Sequence, residues 1–454
     1  MTRLQWRPLV AVTVVVVLAA SCGNSKGGAS NTTQGNVAVP TDGGAAHRMT
    51  HVAVTGVPGV SDSTISYAVV GTKENNPLGT CILKCYLSGI TAYFAYRNSQ
   101  GGIYGRKLTV GQVSDDQLAN NEKVALDIIS KKQDFGAFEA GLLQQGWGDL
   151  NSAGIPTYTW GIDGPSAANR EAIFPSTIIR CPDCTRRILP YAAKLAGAKK
   201  AGILGYSTSE NSKACADSDA ESIKLYTKDT GVQMAYLKDN LQYGLPNGIG
   251  PEVTAMKQAG VDFIATCFDL NAMKTLAQEL QRQGMSHVVL FHPNTYNQAF
   301  VKASGGLFNN DYVDVQFRPF ESATGTSALT QFQTWMAKTH SPLTELAMVG
   351  WINATLAYDG LLAAGPHFDR PTVLAATNAM THFTADGLVQ PVDWTQAHKP
   401  YTQATRSQVK DTECSSIVKV VNGEFQNVSP KTKPWLCWDS GSLAWSQPVP
   451  TEFH

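Results

Sequence analysis

The sequence has few charged residues and no excess of either sign. Lysine and arginine together number 36, as do aspartate and glutamate, and charged residues make up 16% of the 454 positions, against an average of about 25%. Without a positive excess the chain lacks the electrostatic attraction that nucleic acids require, so we expect no nucleic-acid partner. Hydrophobic residues make up 43% of the chain, which excludes disorder over most of its length.

The N-terminus carries a hydrophobic run, but a short one. Leu9–Ala20 spans 12 residues. A membrane-spanning helix needs about 20 residues, whereas the hydrophobic region of a signal peptide has about 7–15. Arg3 and Arg7 supply the positive start that such signals have. We therefore expect residues 1–21 to be an export signal.

The signal ends in Leu18-Ala19-Ala20-Ser21-Cys22, where small residues precede a cysteine. This resembles the lipobox of bacterial lipoproteins, although Ala19 stands where leucine is usual. The resemblance implies that Cys22 is lipid-modified and anchors the protein on the extracytoplasmic face of the cell membrane. The alternative is an ordinary secretory signal followed by a chance cysteine. Residues 22–60 begin with a stretch rich in Gly, Ser, Asn and Thr, which predicts a flexible tether.

Strand-like apolar runs alternate with helical patterns from Ser63 onward, which is typical of βαβ units and a parallel sheet. The predicted strands are 64–70, 107–113, 135–138, 157–160, 201–205, 233–236, 262–266 and 287–291. The alternation restarts near residue 186, so the sequence indicates two successive α/β arrays. Later helices are predicted at Ser327–Lys338, Glu345–Ala364 and Pro371–Met380, and Asn422-Gly423 predicts a hairpin turn.

No cysteine pattern completes a zinc site. Cys181 and Cys184 are spaced as C-x-x-C, but the chain has no second such pair and no histidine cluster at ligand spacing. A redox pair remains an alternative to a structural disulfide, and export favours disulfides for the eight cysteines after Cys22. The positions of the predicted elements bring two pairs together, and elimination leaves two more. The expected pairs are Cys414–Cys437, Cys215–Cys267, Cys81–Cys85 and Cys181–Cys184.

Ile90–Arg106 reads ITAYFAYRNSQGGIYGR and is followed by a strand and an acidic loop at Asp116. This stretch resembles the leucine/isoleucine/valine-binding branch of the type I periplasmic binding proteins, in which A-x-x-x-N on a helix leads to GGI-x-GR, a strand and an Asp-rich loop. Ala153–Pro156, Tyr358–Gly360 and Val420–Phe425 resemble later motifs of that family. The resemblance therefore covers about residues 64–428.

The resemblance implies a type I periplasmic-binding-protein fold, with two Rossmann-like α/β lobes joined by three crossovers and a ligand cleft between them. Lobe one would comprise residues 61–178 and 318–385, and lobe two residues 179–317 and 386–454. Members of the family capture a small-molecule solute and deliver it to the permease subunits of an ABC importer. We expect a monomer without cofactor or metal ion.

Two other classes of function compete with solute capture. A ligand-sensing receptor-type protein on the same fold, without a transporter, is the main alternative. An exported enzyme is disfavoured because the sequence shows no nucleophile–base or metal constellation in a suitable context.

The ligand is expected to contact the loops that follow the strands, because open α/β sheets bind ligands at the carboxyl ends of their strands. In lobe one these positions are Thr72, Glu139, Gly141, Leu142, Thr159, Trp160 and Asp163. In lobe two they are Tyr206, Asn211, Asp269 and Asn294.

The candidate site departs from that of the family's amino-acid binders. Those proteins place small hydroxyl residues after the third strand to hold the ligand carboxylate, whereas this chain has Ala140-Gly141-Leu142-Leu143. Those proteins also have an acid that pairs with the ligand ammonium, and its position in this chain falls near Asn294. Asp163 or Asp269 could supply the acid from a different position. A buried ammonium without an acid loses its main electrostatic partner. We therefore expect a neutral or singly charged small molecule with an apolar part.

Overall fold

The computed structural model describes residues 50–161, 164–176, 181, 184–207, 210–293, 295–323, 327–406, 413–439 and 441–454. The strands are β1 (Thr64–Gly71), β2 (Lys107–Asp115), β3 (Gly136–Ala140), β4 (Thr157–Thr159), β5 (Ile173–Pro175), β6 (Lys200–Tyr206), β7 (Gln233–Leu241), β8 (Phe263–Thr266), β9 (Val289–His292), β10 (Tyr312–Val315), β11 (Glu413–Val421), β12 (Glu424–Asn427), β13 (Trp435–Trp438) and β14 (Val449–Thr451). The helices are α1 (Leu83–Ser99), α2 (Asn121–Lys131), α3 (Trp147–Ser152), α4 (Gly164–Ala167), α5 (Ile188–Leu195), α6 (Glu210–Leu225), α7 (Thr227–Thr230), α8 (Gly250–Ala259), α9 (Leu270–Arg282), α10 (Gln298–Ala303), α11 (Ser327–Lys338), α12 (Glu345–Ala364), α13 (Arg370–Asn378) and α14 (Trp394–Ala397).

The first sheet holds five parallel strands in the order β2-β1-β3-β4-β5. The second holds β14-β13-β11-β10-β9-β8-β6-β7, with β12 paired to β11. Its strands β10, β9, β8, β6 and β7 run parallel, while β11 and β13 add antiparallel neighbours. The two α/β lobes expected from the alternating pattern are therefore confirmed.

The sequence located most elements to within a few residues and missed four strands. α11 and α12 begin and end at the predicted residues. The missed strands are β5, β10, β13 and β14, three or four residues long each. Strands of this length carry too few residues for a period-two pattern to emerge.

All four expected disulfides are present in the structure: Cys81–Cys85, Cys181–Cys184, Cys215–Cys267 and Cys414–Cys437. The last pair joins directly opposed residues of β11 and β13. Because its two cysteines are bonded to each other, the C-x-x-C pair is not a zinc site in this state.

The end of the expected tether packs on lobe one. Arg106 is fully buried and donates from Nη2 to the carbonyl of Val52 at 2.8 Å and from Nε to the carbonyl of Ser61 at 2.7 Å. Val54 and Val57 pack against the main core. Residues 50–60, which the sequence assigned to the flexible tether, therefore belong to the folded protein.

A later segment, which the expected boundary places in lobe two, also contacts lobe one. The ring of Trp394, in α14, lies 5.2 Å from the ring of Phe174 on β5, and the Asn169 amide donates to the carbonyl of His398 at 2.7 Å. Residues 392–398 thus contact lobe one, although the expected boundary placed them in lobe two. The pattern of short loops and a four-residue helix gave no signal for this docking.

Helix α12 is long and apolar enough to cross a membrane by length and composition, and 89% of its apolar window is buried inside the protein. It packs along α1, where Gly89 and Gly350 allow a close approach: a Cβ on either would overlap a backbone carbonyl of the other helix. Such burial is that of a core helix.

Candidate functional site

The order of the strands points to one position in each sheet. In the first sheet β1 lies between β2 and β3. The connection after β1 therefore leads to one side of this strand, and the connection after β2 leads back to its other side. In the second sheet β6 lies in the same way between β7 and β8. Loops diverge at such switch points and leave a crevice at the carboxyl ends of the strands. The loops after β1, β3, β6 and β8 are therefore the expected walls of a site.

Three of the predicted residues in lobe one lie together where these loops meet. Thr72 is fully buried, and its hydroxyl accepts from the Leu142 amide at 3.0 Å. Gly141 is also buried, and a Cβ there would overlap the carboxylates of Glu139 and Asp116. The structure thus brings Thr72, Gly141 and Leu142 together, with the Thr72 hydroxyl already engaged by the backbone.

Glu139 lies at the centre of a buried hydrogen-bond network. Its Oε1 accepts from Asn121 Nδ2 at 2.7 Å and from the Gly141 amide at 2.8 Å, and its Oε2 accepts from Trp147 Nε1 at 2.6 Å. The side chain is 1% exposed. Its carboxylate positions the loop after β3, and its expected contact with a ligand stays a prediction.

Burial raises the pKa of Glu139 to about 7, and the nearby charge of Asp116 adds to the rise. The three hydrogen bonds act in the opposite direction, because each donor favours the ionised carboxylate. The folded protein therefore favours the protonated form of Glu139 more than the unfolded chain does. Folding and proton uptake are linked at this residue.

The substitution Glu139→Gln should remove a pH dependence from the free energy of unfolding. Since the pKa of Glu139 is raised, its contribution to stability is full below about 4.5 and is lost as the pH rises through about 7. The stability of the wild type relative to the Gln variant should fall by about 3 kcal/mol between pH 4.5 and pH 8. Urea unfolding of both proteins across that range measures the difference.

Comparing the two proteins removes the effects of other groups. Burial lowers the pKa of His398 to about 4, so this histidine costs stability as the pH falls from about 6.5 to 4 in both proteins. A stability difference that stays constant from pH 4.5 to pH 8 would contradict the role assigned to Glu139.

Tyr206 and Asp269 are joined in lobe two. The Tyr206 hydroxyl donates to Asp269 Oδ2 at 2.7 Å, while Asp269 Oδ1 caps α9 by accepting from the amides of Asn271 and Ala272 at 2.9 and 3.1 Å. Burial and the Asp269 carboxylate both raise the pKa of Tyr206, so its hydroxyl remains a donor. Asp269 is 3% exposed. The acid we considered as a displaced partner for a ligand ammonium is already occupied by its own chain.

Aromatic rings surround Tyr206. Its ring stacks on Phe268 with centroids 4.7 Å apart and lies 4.9 Å from the ring of Tyr243. Phe268 falls within the loop after β8 that the sequence singled out, but Tyr243 carried no signal. The side chains form an apolar wall beside the carboxyl ends of β6 and β8.

Two buried hydroxyls near these strand ends have no hydrogen-bond partner among the residues that the structure describes. They are Thr159 Oγ1, at the end of β4, and Thr295 Oγ1, after β9. Trp160 follows Thr159 and is half-buried against the main core. Thr159 and Trp160 were predicted by name, whereas Thr295 follows Asn294 in a predicted loop without having been singled out.

Four predicted positions are not placed by the structure. Cys22, Asp163 and Asn294 lie outside the described residues, and Asn211 belongs to α6 without a described side chain. Their roles remain predictions.

Potential metal ligands come together at one place in the described ranges. Cys215, Asp219 and Cys267 have ligand atoms within 4.8 Å of one another. The two sulfurs are bonded to each other, so they cannot act as thiolate ligands in this state.

A described cavity of about 520 Å³ lies in lobe two between α9 and the loop after α10, lined by residues that include Gln278, Met285 and Asn310. A second of about 260 Å³ adjoins it at Ser286 and Val288. Both lie at the amino ends of β9 and β10, which is the opposite edge of the sheet from the switch point. They are therefore separate from the predicted cleft.

A family model described as periplasmic binding protein matches residues 79–413. No curated protein matches significantly. Several solved structures share the fold. One, titled as a fatty acid ABC transporter substrate-binding protein from Thermomonospora curvata, is 16% identical, with a TM-score of 0.61 over 88% of this chain and 98% of its own.

Two others were solved with small molecules. A branched chain amino acid ABC transporter from Thermus thermophilus with bound valine is 15% identical, with a TM-score of 0.62 over 81% of this chain and 96% of its own. A solute binding protein of an ABC transporter from R. palustris in complex with benzoate is 15% identical, with a TM-score of 0.60 over 84% and 100%. At these identities the likeness establishes the fold.

Proposed function

The chain belongs to the periplasmic binding protein family, and we propose that it captures a small solute outside the cell membrane and delivers it to the permease of an ABC importer. The observation that carries this proposal is the position of the two switch points. The loop after β1 contacts the start of α9, which follows β8, and this contact supports a single cleft between the two crevices. A molecule between them would be gripped from both sides.

The structural neighbours support a small molecule as the cargo. Their names record valine, benzoate and fatty acid, which share an apolar part and a carboxylate, while valine adds an ammonium group. The apolar wall of Tyr206, Phe268 and Tyr243 is suited to such a part. We propose a neutral or singly charged solute with an apolar portion.

The protein is proposed to remain at the membrane through Cys22. The positive start, the short hydrophobic run and the small residues before Cys22 support a lipid anchor. A tether after Cys22 would let the folded part reach a permease in the same membrane. We propose no catalytic role. The carboxylates of Glu139 and Asp269 accept hydrogen bonds from Trp147 and Tyr206 of their own chain.

A thermal-shift screen with amino acids, amides, polyamines, sugars and aromatic acids tests solute capture. A solute at 100 times its dissociation constant should raise the free energy of unfolding by about 2.7 kcal/mol. At least one compound of the screen should therefore raise the melting temperature. A screen in which no compound stabilises the protein would count against the proposal.

Calorimetry against leucine, isoleucine, valine and phenylalanine should show no binding in the family's usual amino-acid mode. The loop after β3 offers no side-chain hydroxyl, and Asp269 is already engaged by Tyr206 and the start of α9. Backbone amides there could still hold an anion, but an ammonium would lack its acid. Micromolar binding that is abolished by Asp163→Ala or Asp269→Ala would show that the acid has moved to one of these positions.

A further inference from the structure

A loop of lobe one touches lobe two at Gly79. This residue lies between β1 and α1 with φ of +70°. A Cβ built on it would lie 2.6 Å from Nδ2 and 2.7 Å from Oδ1 of Asn271, in the first turn of α9. Glycine is thus required twice, for its backbone conformation and for the approach of a side chain from the other lobe.

The first half of this loop is held by one carboxylate. Asp115, at the end of β2, accepts from the amides of Lys73 at 2.9 Å, Glu74 at 3.0 Å and Gln117 at 2.9 Å. Three backbone donors on one side chain fix the path of the chain as it leaves β1. This arrangement ties the loop to the rigid sheet of lobe one.

The second half is held by a covalent bond and by its own side chains. Cys81 is bonded to Cys85 in the first turn of α1. Asn76 donates from Nδ2 to the carbonyl of Thr80 at 2.7 Å and accepts from the Leu78 amide at 3.0 Å. The loop is therefore preformed, and its tip is presented to the other lobe as a fixed surface.

We propose that residues 72–82 form a rigid latch that closes the cleft when Gly79 docks on the Asn271 side chain. The inference deepens the proposed function, because it names the contact that decides whether the lobes can close over a solute. Closure is an equilibrium between lobe positions, and a solute's apparent affinity falls with the fraction of protein able to close. Gly79 and Asn271 are positioning residues in this process.

Cross-linking tests the docking without any solute. In the double variant Gly79→Cys/Asn271→Cys, the Asn271 amide that a Cβ at residue 79 would meet is replaced by a shorter side chain, so the loop can still approach α9. The variant is treated with a short bismaleimide, which adds one thiol to each maleimide double bond and leaves the native disulfides intact. If the latch docks as proposed, the two thiols share a high effective concentration. Intramolecular linking, followed by peptide mass mapping, should be at least about tenfold faster than in a control pair.

Gly56→Cys/Asn271→Cys is the matched control. Gly56 also has a positive φ, of +75°, and nothing lies within 4 Å of its Cβ position. It lies in the segment that packs near the amino end of β3, since neighbouring Gly59 contacts the Phe135 backbone. That edge is far from the cleft. Equal linking rates for the two pairs would overturn the proposed docking.

A second comparison tests whether the latch is rigid. Adding Asp115→Asn to the Gly79/Asn271 cysteine pair weakens the acceptor of three backbone amides and should slow linking severalfold. Adding Glu74→Gln should not, because that carboxylate pairs with the exposed Lys73 side chain. Equal rates in the two triple variants would show that the loop is not braced in the proposed way.

These measurements separate the two proposals. Linking rates do not depend on any solute, so a latch that links rapidly in a protein that binds nothing in the thermal screen would leave the inference standing and count against the proposed function. If the protein binds a screened solute but the Gly79/Asn271 pair links no faster than its control, the proposed function stands and the latch is refuted.

Discussion

The substitution Cys22→Ser should move the protein from the membrane fraction to the soluble fraction. Serine has no thiol to receive the lipid, and each buried methylene of an acyl chain contributes about 0.8 kcal/mol to membrane binding. Losing the anchor should therefore remove nearly all of the membrane-bound protein. Fractionation and immunoblotting after a carbonate wash measure this redistribution.

Ser21→Ala is the matched control for the anchor. It keeps a small residue before Cys22 and should leave the protein in the membrane fraction. The apolar helix α12 should not substitute for the lipid, because it is packed inside the fold. A Cys22→Ser protein that stays in the carbonate-washed membranes would refute lipidation as the means of attachment.

The substitution Glu413→Ala should lower the free energy of unfolding by about 3–5 kcal/mol. Glu413, at the start of β11, accepts from Arg187 at 2.7 Å and from Arg406 at 3.0 Å, and all three side chains are buried. Removing the carboxylate leaves two guanidinium groups buried without their acid. Breaking a buried ion pair by removing one partner is strongly destabilising for this reason.

This cluster ties together parts of the chain that are far apart in sequence. Arg187 also donates to the carbonyls of Asp439 at 2.6 Å and Ala444 at 3.1 Å, and Arg406 donates to the carbonyl of Thr185. These carbonyls accept further N–H groups of the two guanidinium groups, as buried charges require, while Arg406 Nε has no partner among the residues that the structure describes. The variant should consequently also lower the resistance of the residues near 185 and 406 to proteolysis.

Glu279→Ala provides the comparison for the ion pair. Glu279 pairs with Arg282, whose side chain is 69% exposed, so its removal should cost less than about 1 kcal/mol. Urea unfolding at pH 7 with the disulfides intact gives both values. A loss below about 1 kcal/mol for Glu413→Ala would show that the cluster contributes no more than a surface pair.

Much of the fold follows from local patterns along the chain. The alternation of apolar runs and helical periods located the two α/β arrays, and Asn422-Gly423 located the hairpin of β11 and β12. The disulfides Cys215–Cys267 and Cys414–Cys437 followed from the positions of neighbouring elements, and elimination then gave the other two pairs. The signals were absent where elements were short, as at β5 and α14.

The candidate site could be located from the sequence, but the state of its side chains could not. Parallel strands end at one edge of a sheet, so the positions of Thr72, Glu139 and Asp269 near the cleft followed from their places after β1, β3 and β8. Whether each polar group faces a ligand or its own chain depends on its partners. Trp147 for Glu139, Leu142 for Thr72 and Tyr206 for Asp269 all come from other segments.

The sequence by itself determined the two α/β arrays and the disulfide pairs, because these follow from periodicity and from the order of neighbouring elements, and it predicted the edge of each sheet at which a solute would bind. Only the tertiary structure decided that Glu139 and Asp269 serve their own loops, that Arg187 meets Glu413, and that Gly79 meets Asn271. The last two contacts join residues about 200 positions apart. Such contacts are set by the packing of whole lobes, which no local pattern encodes.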